Sequence, residues 1–173
     1  MTSTADARPA TSLQHTFVAA MGNAATGVTV VATDGTGGRF AQTVSAMCSV
    51  SAEPPTVLVC VNVRSPLVEA IARHGVFTVN VLADDQAHVA DTFAGRPSAG
   101  APYDFGCAEW AVADSGSPAL LGAAAVFDCT LAGSVRSGTH RVFLGTVNGS
   151  RAEPTRPLVY HARRYGRHEP LVP

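Results

Sequence analysis

Residues 124–147 read AAVFDCTLAGSVRSGTHRVFLGTV. Two apolar, β-branched runs, Ala124 to Val135 and Arg141 to Val147, flank Ser137-Gly138. Glycine tolerates the positive φ that a tight turn needs, so the second run returns antiparallel to the first. The same logic applies upstream. Gly27 to Thr33 is rich in β-branched residues, Asp34-Gly35-Thr36-Gly37-Gly38 is a loop of turn formers, and Arg39 to Ser45 is the returning strand. Thr56 to Val63 is an almost unbroken apolar run, which predicts a strand buried on both faces. Val76 to Leu82 and Pro157 to His161 complete the strands.

Three short helices punctuate this pattern. Leu13, Phe17 and Met21 at i, i+4 and i+8 form one apolar stripe, with Thr11 or Ser12 as cap and Gly22 as stop. Ser65-Pro66 opens a second helix, with Leu67, Ala70 and Ile71 on its buried face and Gly75 after it. Asp84 is the expected cap of a third, whose Val89, Ala90 and Phe93 point inward and which Gly95 ends. Ala46 to Glu53 reads as a mixed segment, 95–106 as loop and Ala162 to Pro173 as basic and irregular. Strands joined by tight turns outnumber helices, which predicts a closed antiparallel barrel with helical crossovers rather than a doubly wound sheet. One domain is expected over 12–166, with a disordered arm over 1–11 and a tail over 167–173.

The 173 residues carry a net charge of −1 and only 14% charged residues. No clustered basic face for nucleic acid is expected from this balance. The low charge favours a homodimer, because uncharged surface tends to mark interfaces. The four cysteines form no C-x-x-C pair, and Cys60 and Cys129 sit in apolar runs as small hydrophobes. No signal peptide and no apolar run of membrane-spanning length is visible, so a cytoplasmic location is expected. There is no G-x-G-x-x-G, P-loop or G-x-S-x-G motif, and the scattered histidines predict no metal site.

Three segments remain as candidate chemistry. Thr43, Ser45, Ser49 and Ser51 place hydroxyls along 43–51, with Thr43 and Ser45 on one side of a strand. Such a strip suits the polar edge of a planar heterocycle; it also suits a solvated edge strand. Asn62-Val63-Arg64-Ser65-Pro66 puts a hydroxyl and backbone N–H groups at a helix start, as a phosphate site or as plain capping. His140 follows the Ser137-Gly138 turn at the mouth of a strand.

Taken in order, these segments resemble the flavin reductase family with the FMN-binding split-barrel fold. The resemblance spans about residues 13–165. It runs from Phe17 to Met21 into Thr26 to Val31, through Thr43 to Ser45 and Ser49 to Pro55, to Phe77 to Leu82, Gly138-Thr139-His140 and Pro157 to Tyr160 with Tyr165. It implies a mainly β, closed antiparallel split β-barrel of Greek-key type with short peripheral helices. It further implies an NAD(P)H-dependent reductase moving hydride from NADH or NADPH to FMN or FAD. Reduced flavin would then diffuse to a partner monooxygenase. The flavin ring is placed by resemblance along Thr43, Val44, Ser45 and Ala46 with Ser49 and Ser51 nearby, and its phosphate near Asn62 and Ser65. His140 would face the nicotinamide as the catalytic residue, with Tyr165 at the border. Ala46, Met47 and Thr139 depart from the family's usual Ser, Phe and acid at those points. The alternative is a flavin-binding module without reductase activity.

Overall fold

The computed structural model of this chain describes residues 11–171. The expected N-terminal arm lies outside the described residues except for Thr11, and the end of the expected tail does so from residue 172.

Helix α1 (Ser12–Gly22) starts at a capping box. The Thr11 hydroxyl accepts from Gln14 N–H, and the Gln14 side chain accepts from Thr11 N–H. The strands that follow are β1 (Thr26–Gly27), β2 (Thr29–Thr33), β3 (Phe40–Val44), β4 (Met47–Ala52) and β5 (Pro55–Asn62). Next come α2 (Leu67–His74), β6 (Val76–Val81), α3 (Ala87–Phe93), β7 (Trp110–Val112) and β8 (Pro118–Leu120). The long hairpin β9 (Ala125–Ser137) and β10 (His140–Ala152) precedes β11 (Leu158–His161) and β12 (Arg164–Arg167). None of the helices is long and apolar enough to cross a membrane.

Seven strands form one antiparallel sheet in the order β3-β2-β6-β9-β10-β5-β4. Its concave side holds Val57, Val59 and Val61 of β5 with Val31, Phe77, Val79, Cys129 and Phe143, and α2 plugs it with Leu67, Val68 and Ile71. Each such side chain, fully buried, contributes ~1.5–3 kcal/mol. A Cβ on Gly145 would lie 2.6 Å from the Phe77 ring, so only glycine lets β10 approach this core. The other side of β2 is covered by α3 and by β8, with Phe93 set edge-on between Phe105 and Trp110.

The sheet corrects the expected closed barrel. Its ladder begins at β3 and ends at β4, with no ladder bonds between these two strands. They are consecutive pieces of chain separated by Ser45-Ala46, so the hydrogen-bonded circuit is broken there. Strand β5 is buried on one face, not two: Val57, Val59 and Val61 are inside while Leu58 and Cys60 are half-buried. Asp84 does not cap α3, which begins after Gln86; its carboxylate pairs with Arg156 at 3.2 Å instead. Strand β4 arises where a mixed segment was expected and β12 where irregular chain was expected, and β7 and β8 lie in a stretch for which no element was predicted.

Candidate active site

The break between β3 and β4 supplies the first part of the site. Among the described residues, the Ser45 N–H, the Ser45 carbonyl and the Ala46 N–H make no hydrogen bond; the Ala46 carbonyl accepts from Cys60 N–H at 3.0 Å. Both residues are exposed. At this break the chain therefore presents two backbone donors and one acceptor to whatever lies against it. Flanking residues fix the bend. The Thr43 hydroxyl donates to the Ala90 carbonyl of α3 at 2.7 Å, and the Thr29 hydroxyl donates to the Val44 carbonyl at 2.8 Å. The Val44 side chain is turned into the core.

Two cavities lie along this strand. The smaller, about 170 Å³, is lined by Thr43, Ser45, Arg96, Tyr160 and Tyr165, so Thr43 and Ser45 do share one side. Tyr165 donates to the Asp91 carboxylate at 2.9 Å, and burial, with that carboxylate, pushes its phenol up to about 12. The larger cavity, about 350 Å³, is lined by Arg39, Gln42, Asn62, Arg64, Ser65, Tyr103 and Phe105 among others.

At α2 the amides expected to be free are partly engaged. Asn62 holds two of them, through its side chain on Arg64 N–H at 2.9 Å and its carbonyl on Ser65 N–H at 2.9 Å. The Ser65 hydroxyl accepts from Leu67 N–H at 3.3 Å and donates to Gln42 Oε1 at 2.9 Å. Positive charge in this cavity therefore comes from Arg39 and Arg64 more than from the helix start.

His140 opens β10, directly opposite Asn62 in the ladder, and is exposed with Nδ1 3.0 Å from the Thr139 hydroxyl. Ser49 and Ser51 line neither cavity. Ser49 is exposed on β4, and the Ser51 hydroxyl is engaged with both backbone groups of Glu53 at the β4–β5 turn. Gln42, Arg39, Tyr103 and Phe105 were not singled out by the sequence reading. Gln42 lay in a strand beside the chosen hydroxyls, and its polarity was the available signal; the loop residues carried none.

A family model, described as the flavin reductase like domain, matches residues 21–169. This chain belongs to the flavin reductase family. It is 40% identical to an FMN reductase (NADH) RutF of Ancylobacter novellus, over 84% of this chain and 80% of that protein. It resembles the solved flavin reductase PheA2 with a TM-score of 0.82 and 30% identity, covering 90% of this chain and 98% of that one. It also resembles the styrene monooxygenase flavin reductase of Pseudomonas putida S12, with a TM-score of 0.78 and 27% identity over 90% and 99% of the two chains. The mainly β architecture with three helices is the fold these reductases share.

Proposed function

We propose that this chain is an NADH-dependent flavin reductase, a single domain over residues 12–166, that supplies reduced flavin to a separate monooxygenase. The observation that carries the reading is the unpaired Ser45 N–H, Ser45 carbonyl and Ala46 N–H at the break between β3 and β4, beside the smaller cavity that Ser45 lines. A flavin's pyrimidine edge alternates acceptors and a donor, which is the complement of such a strip. Nicotinamide and flavin bring the hydride chemistry with them, so the chain's task is to hold, orient and shield.

In this reading the ring system lies along Thr43 to Ala46, and the phosphate end reaches Asn62, Arg64 and Ser65. Gln42 positions Ser65. Tyr165, kept protonated and anchored to Asp91, walls the ring cavity. His140 stands across from Asn62 and orients the nicotinamide. Ser49 and Ser51 contribute through the β4–β5 hairpin rather than by contact. The named activity of the Ancylobacter relative supports NADH as reductant, and the Pseudomonas neighbour supports a monooxygenase as recipient.

A homodimer completes the proposal. Helix α1 leaves Leu13 75% and Phe17 61% exposed, an apolar stripe that one copy alone does not cover. Light scattering at micromolar concentration tests it: a monomer refutes the dimer.

The reductase reading is tested by steady-state NADH consumption with and without added FMN, FAD or riboflavin. It fails when no flavin raises the rate above that of free flavin in buffer.

A further inference from the structure

At the end of the β9–β10 ladder away from His140, four residues share one face of the sheet. Asp128 stands opposite Gly149, and Val126 opposite Arg151. The β7–β8 hairpin is fastened to this face by Ser115 N–H, which donates to Asp128 Oδ2 at 3.0 Å. Between hairpin and sheet a cleft of about 280 Å³ remains, lined by those four residues with Asp114 and Ser150 among others. It shares no lining residue with either cavity of the candidate active site. We infer that this cleft is a second binding site, for a small apolar α-amino acid held as its zwitterion. The inference does not depend on the flavin reading.

The first observation is a pair of opposite charges that do not cancel. Asp128 is only 7% exposed, and its enclosed Oδ1 has no hydrogen-bond partner. No basic side chain lies within ion-pair distance of it among the described residues. A buried carboxylate left in this way is costly and calls for a counterion. Asp114 brings a second negative charge to the same cleft. Arg151 also lines it, yet no carboxylate reaches its guanidinium among the described residues. Its Nη2 donates to the Leu120 carbonyl at 2.6 Å instead, which holds the cation away from the two acids.

Positive and negative groups kept apart across one cleft match a ligand that carries the opposite charges. An ammonium between Asp114 and Asp128 gives the buried carboxylate its counterion and has three N–H donors to offer. A carboxylate on the same ligand meets the remaining guanidinium donors of Arg151.

The second observation is the space itself. A Cβ on Gly149 would meet nothing within 4 Å, and the residue does not adopt a positive φ. The backbone does not require glycine there; the missing side chain leaves the room beside Asp128 open. Val112, Ala113, Ala119 and Val126 line the same cleft, so the ligand's own side chain meets an apolar wall.

Isothermal titration of the whole protein with L-valine and with isobutylamine tests the site. Isobutylamine has the same amine and side chain and lacks the carboxylate. The parent should bind L-valine at least about tenfold more tightly than isobutylamine, the scale of one charge-assisted contact. Arg151→Gln should bring L-valine down to the isobutylamine level. Gly149→Val fills the space with a residue suited to a strand and should weaken L-valine at least about tenfold. If Gly149→Val does not fold, Arg151→Gln decides alone. A carboxylate that only fastens the β7–β8 turn leaves the parent without L-valine binding at millimolar concentration. That result overturns the site, as do equal affinities for the two ligands in the parent or parental L-valine affinity in Gly149→Val.

Discussion

His140 and Asn62 are ladder partners, facing each other across the β10–β5 pair. Opposed residues in an antiparallel ladder point to the same side of the sheet. The histidine proposed for the nicotinamide and the asparagine that organises the phosphate loop therefore share one face. The link is reinforced beyond the strand ends, where Val63 N–H donates to the Thr139 carbonyl at 3.0 Å.

This arrangement separates two roles of His140. As an orienting group, its replacement in His140→Ala raises the Michaelis constant for NADH and lowers turnover, with kcat/KM falling ~10- to 100-fold, the worth of one hydrogen bond to a charged group. Flavin affinity stays within twofold of the parent, about the scatter of such measurements. A loss of turnover with unchanged NADH binding identifies a proton donor instead.

Ser65→Asp places a carboxylate where the phosphate end of the flavin is proposed to lie. The new side chain still accepts from Leu67 N–H, so α2 keeps its start. It cannot donate to Gln42 Oε1, and an amide flip that restores a hydrogen bond there gives up the Gln42 contact to the Phe93 carbonyl. The stability cost is about 1 kcal/mol. Flavin affinity falls at least tenfold, the scale of one charge-assisted contact. Affinity equal to the parent's places the phosphate elsewhere.

Tyr165 couples the smaller cavity to alkaline stability. Its phenol is raised from 10.0 to about 12 by burial first and by Asp91 second. The folded chain holds this proton more tightly than the unfolded one. The stability it contributes is complete below about pH 10 and is lost as pH rises towards about 12. Tyr165→Phe lowers the melting temperature at neutral pH by the loss of about 1 kcal/mol, a value held down by the pair's partial exposure. Its melting temperature then declines less than the parent's between pH ~10 and ~12. Parallel declines in the two proteins remove Tyr165 from the explanation.

The β11–β12 hairpin carries correctable strain. Ala162 and Arg163 both have positive φ, 49° and 62°, in a two-residue turn. That conformation suits Asn-Gly. The double replacement Ala162→Asn, Arg163→Gly stabilises the protein by ~1–2 kcal/mol, read as a higher denaturant midpoint with unchanged slope. A lower midpoint shows that the Arg163 side chain has a role the backbone does not reveal.

Much of the fold was legible because its turns are explicit. Ser137-Gly138 and the run from Asp34 to Gly38 fix two hairpins, and Gly75, at φ 72°, ends α2 as read. The β12 turn was invisible because Ala-Arg carries no turn signal. The burial of β5 was overread, since its half-buried Leu58 and Cys60 look in sequence like core. In the site, Thr43 and Ser45 fell on one side by simple alternation. Ser51 did not follow, because the register shifts between Ser49 and Ser51 and the hydroxyl closes a turn. Tyr103 and Gln42 reach the larger cavity through tertiary placement, which no local spacing encodes.

The central claim is hydride delivery to flavin, and anaerobic mixing reads it directly. Protein, NADH and oxidised flavin are combined without oxygen, and the visible flavin absorbance is followed. The account predicts bleaching at a rate proportional to protein concentration, with NADH consumed in equal amount. Flavin that stays oxidised, at the rate seen without protein, contradicts it.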